Sequence, residues 1–260
     1  MNFTRLVFDL YTVKYLGFEE TAVKCIEKLK ILPTRYIPTK TQNFNGWKGL
    51  FSFNNTEIFM SFFPNGEMPP FQFWVNLYKI KNLFNFTVES HILTNEELLK
   101  TPGMKFNYIS MSVMPWENNV ESENDFKILH DIWIYLCREF DAAYGYCYFE
   151  DATKGCTPRG EGRCIPRLHW NTYFGQEYTA VLNIDSLMNV DYCKIHKLDK
   201  GSLVEIYGEE AKNLMYSNKI EDSIINHLGK SYFWSDQDNW RNPKLQYDMP
   251  SFDLSEVLIE

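Results

Sequence analysis

ENDFKILHDIWIYLCREF (Glu123–Phe140), followed almost at once by AAYGYCYFE (Ala142–Glu150), decides the fold. In the first stretch Phe126, Leu129, Trp133 and Leu136, joined by Ile128, Ile132 and Tyr135, recur at three- and four-residue steps. That spacing predicts a helix packed by one wide apolar stripe, and Ser122 stands where an N-cap hydroxyl would accept from unpaired backbone N–H groups. The second stretch is rich in Tyr, Cys and Phe and reads as a strand returning into a sheet.

Toward the N-terminus, Phe3–Tyr11 reads as a strand and Glu19–Lys30 as a helix that buries Ala22, Cys25, Ile26 and Leu29 and stops before Pro33. Between Gly46 and Met114 short aromatic and β-branched runs (50–53, 57–63, 71–80, 86–93 and 108–113) predict an antiparallel meander. Hairpins are expected at Asn54-Asn55 and at Pro64-Asn65-Gly66, because Asn and Gly tolerate positive φ. Beyond Glu150 comes a polar loop to Pro166, then a Trp-rich turn into a short helix near Gln176–Ile184. Strands at Cys193–Leu198 and Ser202–Tyr207 flank Asp199-Lys200-Gly201, and a helix at Ile220–Leu228 is closed by Gly229. With no repeat and no Gly/Ser linker, the expectation is one α+β domain over 1–260: a mostly antiparallel sheet packed against a few amphipathic helices. The Asp/Asn/Pro-rich tail from about 235 is expected to lie along the surface or move.

The 260 residues carry 26 basic and 34 acidic side chains, a net charge of −8. That is the wrong sign for neutralising phosphates, so no direct nucleic-acid partner is expected. Arg5, Asp9 and Lys14 interrupt the apolar N-terminus, and no run reaches the ~20 residues needed to span a bilayer. The expected location is therefore cytoplasmic with no membrane partner, and the six cysteines are expected to be reduced thiols.

Motifs for chemistry are sparse. Cys156, Cys164, His169, Cys193 and His196 match no zinc-module spacing, so neither a metal nor a cofactor is expected. There is no Gly-x-Ser-x-Gly elbow, and His91, His130, His169, His196 and His227 have no local partner signature. Lys154, Arg159, Arg163 and Arg167 share one loop with Gly155, Gly160 and Gly162, a combination suited to an anion or to a partner protein.

Arg167-Leu168-His169-Trp170-Asn171-Thr172-Tyr173-Phe174-Gly175-Gln176-Glu177-Tyr178 resembles the Trp-x-x-Phe-Phe-Gly-type motif of bacterial immunity-type proteins from polymorphic-toxin or contact-dependent competition neighbourhoods, departing from it at Asn171-Thr172. The resemblance extends over 141–233, through Lys200–Ile206 and the helix ending at His227-Leu228-Gly229. It implies a cytosolic α+β protein that binds and neutralises one cognate toxin and catalyses nothing. The residues themselves read first as core: Trp170, Tyr173, Phe174 and Tyr178 supply a large apolar payload within nine positions.

The expected function is accordingly inhibition through an acidic, aromatic surface that steers toward a basic toxin cleft. The candidate contacts are Glu117, Glu121, Glu123, Glu150, Asp151, Arg159, Arg163, Trp234, Asp236, Asp238 and Trp240. The partner is a cognate protein toxin or a component of a defence system. The alternatives are a subunit of an antiphage or other multiprotein assembly, and a metal-dependent hydrolase built on Glu150, Asp151 and His169.

Overall fold

Alternating residues sort cleanly onto two faces of a single antiparallel sheet. Its spatial order is β10 (Cys193–Leu198), β11 (Gly201–Ile206), β9 (Asn171–Phe174), β8 (Tyr144–Asp151), β1 (Thr4–Thr12), β7 (Asn107–Val113), β5 (Phe84–His91), β4 (Gln72–Tyr78), β2 (Lys40–Asn43) and β3 (Lys48–Leu50). The computed structural model describes residues 4–43, 45–63, 72–79, 83–91, 93–94, 106–114, 120–151, 164–165, 168–206, 218–235, 245–254 and 258–259. Among them helices are the minority.

The first face is apolar across the central strands. Phe8 stands beside Met111 and Cys147, Met111 beside Phe86, and Phe86 beside Leu77. It is covered by α1 (Glu19–Leu29), α2 (Glu57–Met60) and α3 (Val120–Glu139), which bury Cys25, Phe59, Leu129, Trp133 and Leu136 against it. Trp133 fixes α3 to the sheet centre by donating its indole N–H to the Asp9 carbonyl at 2.9 Å. Gly145 makes that approach possible, since a Cβ there would lie 2.8 Å from the Asp9 oxygen and 3.3 Å from both Cys137 Sγ and the Trp133 ring.

The second face changes character at its middle. Over β8, β9, β11 and β10 it is apolar, and it packs under α4 (Gln176–Val181), the 3-10 turn Ile184–Asn189 and α5 (Asn218–Leu228), with Tyr144, Phe174, Tyr178, Val204 and Ile224 buried. On the other half one row runs Gln42, Asn76, Thr87, Ser110, Asp9 from β2 to β1. Antiparallel sheets carry such a polar half readily, because their second face need not be covered by helices. From the C-terminal region, Phe252 packs edge-on against Phe106 and Tyr178, and β12 (Leu258–Ile259) pairs in parallel with β6 (Leu93–Thr94).

Several sequence expectations change. Residues 57–63, expected as a strand, begin with α2, because a helical step brings Phe59 and Phe63 together with ring centroids 5.1 Å apart, both buried in the core. The turn at Asn54-Asn55 therefore leads into a helix rather than a hairpin return; Pro64-Asn65-Gly66 lies outside the described residues. Helix α3 starts at Val120, so Ser122 sits inside its first turn rather than at its cap. Strands β2 and β9 are additions. Lys40-Thr41-Gln42-Asn43 has one buried residue and is extended because β3 and β4 pair with it on both sides. Asn171–Phe174 was expected as part of a turn and is instead buried at every position.

Candidate functional site

The β10–β11 turn is built into a charged, concave end of the molecule. Helix α3 ends where Asp141 takes a left-handed conformation, φ +43°, usually filled by Gly or Asn. Around it, Thr12 Oγ1 donates to the Phe140 carbonyl (2.7 Å), Ala143 N–H to Tyr11 O (2.7 Å), and Gly175 N–H to Ala143 O (2.8 Å). This holds the Asp141 carboxylate between Lys14 Nζ at 2.5 Å and Lys200 Nζ at 2.7 Å. Burial raises the Asp141 pKa, but the hydrogen bonds and charges of the two lysines outweigh it and hold the group below the usual aspartate value. The Tyr173 hydroxyl donates to the Lys200 carbonyl, tying the turn to β9. Gly201, at φ +140°, has no room for a side chain, since a Cβ would lie 2.2 Å from the Phe174 oxygen.

Two cavities flank this turn and share Gln176. One, about 360 Å³, is lined by Lys14, Asp141, Gln176, Glu177, Lys200 and Asp253. The other, about 400 Å³, includes Thr179, Asn183, Asp185, Lys197 and Ser202. Most charges here are already matched: Lys14 and Lys200 by Asp141, Lys197 by Asp185 at 2.7 Å, and Asp199 by Arg138 at 2.6 Å, which lowers the Asp199 pKa. Glu177, which lines the first cavity, has no ion pair among the described residues. The 3-10 turn that borders the second cavity runs on to an exposed apolar rim, Met188 at 65% exposure and Tyr192 at 41%. Tyr192 has φ +64°, a strained conformation for a bulky residue.

On the α3 side of the same strands, the His196 ring contacts Glu205 at 2.9 Å. His130 lies between Phe126 and Trp133, with ring centroids 5.5 and 5.4 Å away. Burial lowers the His130 pKa, and Asp131, Asn171 and Glu205 offset this only in part. On the opposite face, His169 packs on Tyr146 and Tyr148.

The sequence candidates distribute unevenly. Glu123 is exposed on α3, and Glu121 belongs to the same helix. Glu150 and Asp151 end β8, paired with Arg5 and Thr4. Trp170 joins these two places, stacking on Phe126 of α3 at 4.7 Å and on Phe149 of β8 at 5.4 Å. Trp234 belongs to the other layer: it is half-buried, its ring is stacked on Tyr247 at 5.7 Å, and its backbone N–H donates to the Ile165 carbonyl at 2.9 Å. Glu117, Arg159, Arg163, Asp236, Asp238 and Trp240 lie outside the described residues. Cys164 and Cys193 are buried and in no disulfide, and no metal-holding group of His, Cys, Asp and Glu occurs among the described residues. The hairpin-end residues Lys14, Asp141, Glu177 and Tyr192 were not singled out from sequence; the one local signal was an Asp directly after a long helix, where a left-handed cap belongs.

No protein-family model and no curated protein matches the sequence. Among solved structures, a Pseudomonas aeruginosa T6SS protein superposes with a TM-score of 0.50 at 12% identity, covering 78% of this chain and 68% of that one. At that identity the likeness is one of fold. No described helix is long and apolar enough to cross a membrane.

Proposed function

We propose that this chain is an immunity-type protein that neutralises a cognate toxin by binding it, with the β10–β11 end as the contact surface and no covalent chemistry of its own. The carrying observation is Glu177, without an ion pair among the described residues, in the lining of the first of two cavities that share Gln176, with Met188 and Tyr192 exposed on and just beyond the 3-10 turn that borders the second. Tyr and Met side chains on a pre-formed surface suit desolvated anchors, and a carboxylate among them selects a basic partner. The fold shared with a T6SS protein is compatible with a role in bacterial toxin systems, as is the motif that ends in Gly175.

The test is co-expression with the product of the adjacent gene, followed by purification of the pair. The expected outcome is a neighbour that is toxic alone, harmless when co-expressed, and bound in a stoichiometric complex. Glu177→Lys and Tyr192→Ala should each weaken that complex at least tenfold while leaving the fold intact. A neighbour whose toxicity is unaffected, or a complex indifferent to both substitutions, overturns the reading.

A further inference from the structure

The opposite end of the sheet carries a second, chemically different surface. Strand β3 is the last in the sheet, and among the described residues it pairs only with β2. Its pairing leaves a defined set of backbone groups unused. Asn43 N–H bonds Trp47 O at 3.0 Å and Phe51 N–H bonds Thr39 O at 2.9 Å, so the hydrogen-bonded pairs are 43/47, 41/49 and 39/51. The N–H and C=O groups of Lys48 and Leu50 therefore point away from β2.

Beside these groups stand Trp47, 70% exposed, and Leu50, 77% exposed, the two most exposed large hydrophobic residues described. Leu50 and Lys48 share the polar face with Lys40, while Trp47 shares the helical face with Ile58, which is 38% exposed. Neither lysine has an ion pair among the described residues. An exposed, flat edge with unused backbone groups is a template for strand addition, and natural proteins use lysine there to discourage self-pairing. Two copies joined edge to edge about Gly49 would bring both Lys48 side chains onto one face with no carboxylate between them.

We infer that the β3 edge accepts an extended, acidic–apolar segment of another protein as an added antiparallel strand. This surface lies on the order of 40 Å along the sheet from the β10–β11 end, at ~4.8 Å per strand, and is independent of the function proposed there. The added strand places an aliphatic residue opposite Leu50, an acidic one opposite Lys48, and apolar residues opposite Gly49 and Trp47. It bonds through alternate amides only.

The probe is the fluorescein-labelled peptide Ser-Thr-Leu-Val-Glu-Val-Thr-Ser, followed by fluorescence anisotropy with the full chain. Saturable binding is expected, weakened at least tenfold when Lys replaces Glu in the peptide. Lys48→Glu, at an exposed position, should invert that preference. N-methylation of the peptide Leu and Glu amides should abolish binding, and N-methylation of the two Val amides should leave it unchanged. Three results would overturn the inference: no saturable binding at millimolar peptide, equal binding of the two methylated peptides, or a dimer in sedimentation equilibrium that Leu50→Lys dissociates. None of these results bears on the Glu177 and Tyr192 variants, so the two readings fail separately.

Discussion

The two ends of the sheet close in opposite ways. At the β10–β11 end the turn is wedged against β9 and the end of α3, its charges are matched in pairs, and concave space opens beside it. At the β3 end the hairpin turns through Gly46 at φ +79°, where among the described residues nothing lies within 4 Å of the place a Cβ would occupy and the lysines have no ion pair. The difference teaches that one end resists change to its backbone and presents shape and carboxylates, while the other tolerates change and presents backbone groups.

Glycine substitutions should break this contrast most visibly. Gly201→Ala forces both an unfavourable φ and a 2.2 Å clash with the Phe174 oxygen, and is expected to cost about 3 kcal/mol or more. Gly46→Ala meets no neighbour and should cost only about 1 kcal/mol, from its left-handed backbone alone. Urea unfolding of the two variants measures the gap. Equal losses would mean that the two turns are held alike.

Acid should also separate the ends. Burial depresses the His130 pKa below the ordinary 6.5, so below that value the unfolded chain takes up a proton more readily than the folded one. This contribution to stability is complete above pH 6.5 and is lost as the pH falls through the folded-state value. A His130→Phe variant should show a flatter urea midpoint between pH 7 and 5 than the parent. A parallel decline in both would remove His130 as the cause.

Much of this architecture was legible in sequence where periodicity was strong: Glu19–Lys30 and Cys193–Leu198 closely match α1 and β10. Where residues 58–63 are apolar at every position but Ser61, periodicity could not decide, and the pairing of Phe59 with Phe63 did. Strand β2 was invisible because its extension comes from its neighbours rather than from its polar residues. The hairpin-end site was hidden for a related reason. Lys14, Asp141, Glu177 and Lys200 are far apart in the chain, and only the closure of β1, α3 and β11 brings them to one cavity. The acidic and aromatic residues marked from sequence were clusters along the chain, a different property from clusters in space.

Asp141→Asn sharpens the comparison on a smaller scale. Asn tolerates the left-handed backbone, so the substitution removes the charge and little else. The pairs with Lys14 and Lys200 are about one-third exposed, and solvent screens them, so the expected loss is about 1 kcal/mol near neutral pH. Because the folded Asp141 pKa is depressed, the parent holds this stability above the ordinary value of 3.8 and loses it as the pH falls below. Parent and variant should therefore converge in acid.

The smallest expected effect is the most telling about the β3 edge. Leu50→Lys replaces a side chain that is 77% exposed and touches little of the core, so its effect on the urea midpoint should stay within about 0.5 kcal/mol. A Leu at such a position contributes little to the stability of the chain on its own. If strand addition is what Leu50 serves, the same substitution should nevertheless weaken binding of the Leu-Val-Glu-Val peptide at least tenfold, by losing the aliphatic contact and adding a second cation beside Lys48. A variant that is destabilised by 2 kcal/mol or more would instead make Leu50 part of the fold, and the two ends of the sheet would then differ less than their exposed surfaces indicate.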